Sequence, residues 1–137
     1  MNAAKPDISV LVCVRNRADL TGPFLDSLHA TMPSDIAFEI LIYDDLSTDG
    51  TADLLASYGD RLRVFRDDAR GCFARNNNRL SRAANGRRLV LLNNDMLLRP
   101  GWLQPMLGVM DEHGAGIVGN LQVYPRSGRI NHAGFRA

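Results

Sequence analysis

The chain has 137 residues, 45% of them hydrophobic and 23% charged, with a net charge of +1. That is enough for one domain with a real core, and too balanced to point to nucleic acid or a membrane through overall charge. Two cysteines, Cys13 and Cys72, make no metal or disulfide pattern and read as small buried hydrophobes in a reducing cytoplasm.

The opening MNAAKPD lacks the apolar core of a signal peptide, so residues 1–7 read as a loose lead-in. No apolar run is long enough to span a bilayer. Ile8–Val14 is almost all apolar or β-branched and predicts a first buried strand, ending abruptly in Arg15-Asn16-Arg17. Asp19 suits a cap, and Leu20, Phe24, Leu25 and Leu28 recur at helical spacing, with Pro23 tolerated near the start. Phe38–Tyr43 predicts a second strand running into Asp44-Asp45. The cap-rich Ser47–Thr51 then leads a helix through Ala52, Leu54, Leu55 and Tyr58 to Gly59. Leu62–Phe65 is a short third strand. Cys72–Asn85 predicts a third helix, with Phe73, Leu80, Ala83 and Ala84 toward the sheet and Arg75, Arg79 and Arg82 on the other side. Leu89–Leu92 reads as a fourth strand, buried on both faces, that presents Asn93, Asn94 and Asp95. A helix from Pro100-Gly101-Trp102 carries Leu103, Leu107 and Met110 and stops at Gly114. Ile117–Tyr124 predicts a fifth strand, interrupted by Gly119 and Asn120.

Strands alternating with helices predict an α/β fold, a mostly parallel sheet with helices on both faces. Neither GxGxxG nor GxxxxGK[ST] occurs, so the familiar dinucleotide and P-loop phosphate loops are missing. Three strand ends carry chemistry: Arg15 and Asn16, then Asp44 and Asp45, then Asn93, Asn94 and Asp95. In a parallel sheet these ends share one edge, the edge where open α/β sheets bind ligands. Amides and carboxylates together suit an oxygen-rich ligand or a hard cation such as Mg²⁺ or Mn²⁺.

The pieces ISVLVCVRNR, FEILIYDDLSTDGT, GCFARNNN, LVLLNNDMLLRPGWL and GIVGNLQVYPRSGRINHAGF cover nearly the whole chain. In this order they resemble the N-terminal, nucleotide-sugar-binding half of family 2 glycosyltransferases. NNDxxxxPGWL and GRINHAG are most similar to rhamnosyltransferase-type bacterial members. The resemblance implies the GT-A, Rossmann-like fold over residues 8–137, truncated before the family's acceptor-binding C-terminal half. It places the end of the first strand, with Arg15 and Asn16, beside the nucleobase. It places Asp45, with Asp44 next to it, where the family holds the base. It puts Asn94 at the ribose, Arg75 and Asn76 near the sugar-nucleotide, and Asp95 at the divalent cation, Mg²⁺ or Mn²⁺. The implied role is donor binding in polysaccharide biosynthesis: an inverting transfer from a UDP- or dTDP-sugar to a glycan or lipid-linked acceptor. The expected setting is cytoplasmic, with a peripheral place at the inner membrane face left open. The NND sequence departs from the family's acidic motif and leaves Asp95 as a lone carboxylate. No residue is assigned as the catalytic base.

Blander readings stand beside these. His132 reads as a surface or packed residue, against the sharper reading of a contact to the sugar donor or the metal, and His29 and His113 as structural residues near helix ends. The Arg75, Arg79, Arg82 row reads as a solvated face, Arg75 excepted by the resemblance. Trp102 reads as a packing or helix-start anchor, and Asp67 and Asp68 as turn residues, with a place for the acidic pair near the base pocket left open. The rival function is a non-catalytic nucleotide-binding or assembly module that forms a homodimer through an exposed apolar sheet edge. A nucleotidyltransferase ranks below both, since its activated phosphate loop is absent.

Overall fold

The structure, a computed structural model, describes residues 5–133. Residues 1–4 of the expected lead-in and the last two residues of the GRINHAGF piece lie outside that range. The chain separates into two compact units, one ending at Leu98 and one beginning at Arg99.

The first unit runs β1 (Ile8–Val14), α1 (Ala18–Thr31), β2 (Phe38–Asp44), α2 (Thr51–Ser57), a single 3₁₀ turn (Gly59–Arg61), β3 (Arg63–Phe65), α3 (Phe73–Ala83) and β4 (Arg88–Asn93). The strands form one parallel sheet in the order β3-β2-β1-β4. The chain moves outward from β1 to β3, then returns past β1 to β4. Right-handed crossovers therefore put α1 and α2 on one face and α3 on the other. Side-chain packing agrees. Leu11, Leu41 and Tyr43 form a buried cluster with Leu80 of α3, and Cys13, Phe65, Ala83 and Ala84 pack against it. On the opposite face Ile8, Val10, Val12, Ile40 and Ile42 are fully buried, and His29 of α1 meets the Phe38 ring at 6.2 Å. The expected α/β sheet with helices on both faces is the fold, and all four strands end at one edge.

Several expectations are corrected in detail. β4 is an edge strand, not a strand buried on both faces: Leu89 and Leu91 are 45% and 55% exposed, whereas Val90 and Leu92 are buried. The reason is placement. α3 lies over β1 and β2 and leaves that side of β4 uncovered. Phe73 does not face the sheet; it stands at the start of α3, 61% exposed. Cys72 is exposed in the turn before α3, and only Cys13 is partly buried. Asp19 does not cap α1 but pairs with Arg17 in its first turn.

In the second unit the turn at Arg99–Trp102 precedes α4 (Gln104–His113), so the helix starts later than Pro100. The ring of Pro105 is accommodated in its first turn. α4 ends at Gly114 in the left-handed conformation. Ile117–Tyr124 is not a fifth strand of the parallel sheet. Only Gln122–Val123 (β5) pairs, antiparallel, with Ile130–His132 (β6) in a separate hairpin. Ile117 is 93% exposed, and the glycines at 116 and 119 deny this stretch a continuous apolar side. Among the described residues no helix is long and apolar enough to cross a membrane.

Candidate functional site

The candidate site is built where the four strands end. β1 stops because its backbone turns left-handed at Asn16 (φ 56°) and Arg17 (φ 65°), a conformation that costs a non-glycine residue about 1 kcal/mol or more. Two hydrogen bonds hold Asn16 there. Its N–H donates to Ser47 Oγ at 2.8 Å, and its Oδ1 accepts from the Thr48 N–H at 2.7 Å. Asn16 thus ties the end of β1 to the loop after β2. The Asp45 N–H adds a bond to the Val14 carbonyl at 2.9 Å. Arg15 stands exposed with no ion pair among the described residues.

The two aspartates after β2 have different environments. Asp44 is 1% exposed and its carboxylate is fully engaged. Oδ1 accepts from the Ser47 N–H at 2.9 Å, and Oδ2 accepts from Arg66 Nη1 at 2.5 Å. Asp45 is only partly committed. Its Oδ1 accepts from the Gly71 N–H at 2.8 Å, while Oδ2 lies 4.0 Å from Arg70 Nε and accepts no hydrogen bond among the described residues. Burial, helped by the charge of Asp45, pushes the Cys13 thiol up to about 11, so Cys13 is neutral beside that carboxylate. Tyr43 Oη donates to Asp67 at 2.8 Å, and Arg79 closes an ion pair on the same aspartate. Burial first, and then Asp67, raise the Tyr43 phenol above its ordinary value. Asp67 is therefore more than a turn residue, and Arg79 leaves the solvated row to fix it.

On α3, Arg75 is exposed and unpaired among the described residues, while Asn76 is 2% exposed. After β4, Asn94 Nδ2 donates to Thr21 Oγ1 of α1 at 2.9 Å, and Thr21 passes the bond on to the Arg17 carbonyl at 3.0 Å. Asp95 is exposed and near enough to Arg17 to help raise its guanidinium pKa, after the larger effect of Asp19. The fold thus gathers Asp44, Asp45 and Asn76 around the loop after β3 and ties Asn16 to the loop after β2. It sets Asn94 and Asp95 on the far side of β1. Among the described residues, no three His, Cys, Asp or Glu side chains come close enough together to hold a metal ion. The lone exposed Asp95 fits a divalent ion only where phosphate oxygens and water complete the shell, which is how Mg²⁺ and Mn²⁺ commonly bind with nucleotides.

The sequence pattern described as Glycosyl transferase family 2 matches residues 9–135. This chain belongs to that family. Among curated relatives, the succinoglycan biosynthesis protein ExoO of Rhizobium meliloti is 34% identical over 127 residues, covering 90% of this chain and 36% of ExoO. S. aureus TarS 1–349, solved with UDP-GlcNAc, superposes with a TM-score of 0.69 at 24% identity over 79% of this chain and 32% of that one. The mannosyltransferase PcManGT of Pyrobaculum calidifontis, solved with GDP-Man and Mn²⁺, gives a TM-score of 0.60 at 28% identity, over 68% of this chain and 28% of that one. The chain spans between 10% and 44% of the lengths of the curated relatives it matches.

The family 2 domain also uses residues that reading along the chain does not single out. Arg66 neutralises Asp44 and donates to the Ser47 carbonyl at 3.2 Å. Gly71 holds Asp45, and Thr21 holds Asn94. A signal for Arg66 and Asp67 was present. They follow β3 just as Asp45 follows β2, and the strand-end rule applied to all four strands includes them.

Proposed function

We propose that this family 2 domain binds the donor, a UDP- or dTDP-sugar together with Mg²⁺ or Mn²⁺, in the transfer of a sugar to a glycan or lipid-linked acceptor. The observation that carries the reading is the half-committed Asp45. One oxygen is fixed by Gly71, and the other accepts no hydrogen bond among the described residues and has only Arg70, at 4.0 Å, beside it, with exposed Asp95 across β1 on the same edge. β2 and β4 flank β1, about 10 Å apart, so the loops that carry the two carboxylates leave the sheet on either side of β1. In this reading Asp45 accepts from the base, Asn16 shapes the wall beside it, and Arg15 and Arg75 offer exposed guanidiniums to the diphosphate. Asn94 borders the ribose, and Asp95 would hold the cation. The cation would supply Lewis-acid stabilisation to the departing diphosphate. The sugar passes through an oxocarbenium-like state, and an inverting transfer needs a base on the acceptor hydroxyl. We assign that base to no residue of this site.

Calorimetric titration with UDP and with dTDP, each with and without Mn²⁺, tests the reading. Binding of one nucleotide that tightens with Mn²⁺, with the Mn²⁺ dependence lost in Asp95→Ala, is the expected result. Equal affinity with and without Mn²⁺ removes Asp95 from the metal, and no binding of either nucleotide overturns the donor site. The exposed leucines of edge strand β4 favour a second reading, an assembly module that dimerises there.

A further inference from the structure

Gly71 donates its N–H to Asp45 and lies directly against the amide of Asn76. A Cβ placed on Gly71 would sit 2.0 Å from Asn76 Oδ1, 2.9 Å from its Cγ and 3.1 Å from its Nδ2. These are the three nearest atoms, and all belong to one side chain. The backbone of Gly71 is not left-handed, so its conformation does not demand glycine. The demand for a bare Cα comes from Asn76. That side chain has little freedom to retreat, being 2% exposed on the buried side of α3. Its Oδ1 is sealed from water and accepts no hydrogen bond among the described residues. A buried acceptor without a donor costs about 1–3 kcal/mol, so stability alone favours an apolar residue at 76. The position of the amide accounts for what stability does not. It is the surface on which the turn before α3 rests.

We infer that Asn76 is a positioning residue for the base-binding carboxylate. Its amide sets the height of the turn at Gly71, and the Gly71 N–H then fixes one oxygen of Asp45 so that the other points to the ligand. Asn76 in this account touches the turn, not the nucleotide. The inference rests on the donor reading of Asp45, and its test separates the two. The latch is read first without any ligand, by amide hydrogen exchange at Gly71 in the whole chain. Exchange is expected to quicken about tenfold or more in Asn76→Ala, the size of effect that loss of one charge-assisted hydrogen bond produces. Unchanged exchange overturns the inference, whether or not nucleotide binds.

The second readout is UDP affinity in the presence of Mn²⁺, with thermal melts reporting the folded fraction. Gly71→Ala alone is expected to weaken binding about tenfold, because its methyl meets the amide. In Gly71→Ala/Asn76→Ala the new methyl occupies the space the amide has left, and affinity returns toward the parent value. A folded double variant that binds no better than Gly71→Ala overturns the positioning role. A wild-type chain that fails to bind UDP or dTDP while Asn76→Ala still speeds Gly71 exchange removes the donor reading and keeps the latch.

Discussion

Asp44 is the most deeply buried carboxylate of the candidate site, and its ion-pair partner Arg66 comes from the loop after β3. Arg66 is itself 42% exposed at the side chain, so the pair sits at the boundary of the core, where solvent screens part of the attraction. Removing the guanidinium leaves a desolvated charge behind, which costs more than the pair contributes. Arg66→Ala is therefore expected to cost about 2–3 kcal/mol in urea denaturation. Adding Asp44→Asn should recover part of that loss, because asparagine keeps the acceptor for the Ser47 N–H and removes the stranded charge. A double variant as unstable as the sum of the singles would show that the two residues act independently. This pair was not legible in the chain: Asp44 and Arg66 lie 22 positions apart, and nothing in either local pattern names the other. Asn16 was legible as a polar strand end. Its left-handed backbone, and its use of both amide N–H and side-chain oxygen to hold the next loop, were not.

At the level of elements, the edge opposite the candidate site is stitched by Glu39 and Gly86. Glu39 accepts from Ser9 Oγ, from the Asn85 N–H and from Arg63 Nη1, each at 2.6 Å, so one carboxylate joins β1, β2, β3 and the loop entering β4. Burial pushes the Glu39 carboxyl up, but the hydrogen bonds from Ser9, Asn85 and Arg63 together outweigh it and hold the group below the usual glutamate range. A carboxylate held low in the folded state adds stability at neutral pH and loses it as pH falls through the folded value. Urea midpoints should therefore drop between pH 7 and about pH 3.5, and by less in Glu39→Gln. Gly86 passes so close to β1 that an added Cβ would lie 2.4 Å from the Ser9 nitrogen and 2.6 Å from the Ile8 carbonyl carbon. Backbone cannot move aside, so Gly86→Ala should cost about 3 kcal/mol, read as a lower thermal midpoint. β1 and β2 were legible as strands because they are rich in apolar and β-branched residues. LVLL in β4 was legible as a strand too, but its reading as buried on both faces failed. Four consecutive apolar residues carry no alternation, and only strand order and the reach of α3 decide which two face solvent.

At the scale of the whole molecule, the exposed face of β4 is where the assembly reading is tested. A six-residue strand at the end of the sheet order, with two leucines exposed on one face, can serve as a template for another strand. Sedimentation velocity should show concentration-dependent self-association, and Leu91→Lys should keep the chain monomeric with its melting temperature unchanged within a few degrees. A wild-type chain that stays monomeric at about 100 μM would remove the assembly reading. The family was legible from five short pieces, three of which carry the carboxyl ends of β1, β2 and β4. The separate hairpin of β5 and β6 was not, since a two-residue strand leaves no periodic trace.

The order of the sheet also fixes a schedule. β1 is made before both of its neighbours and lies between β2 and β4, yet its partner β4 follows about 80 positions later, with Ile8 opposite Arg88. At ribosomal speeds of about 5–20 residues per second, β2 can reach β1 within a few seconds, whereas β4 arrives some 4–16 seconds after β1 has emerged. Through that interval one side of the most apolar strand in the protein has no neighbour, and its most hazardous exposure falls during synthesis.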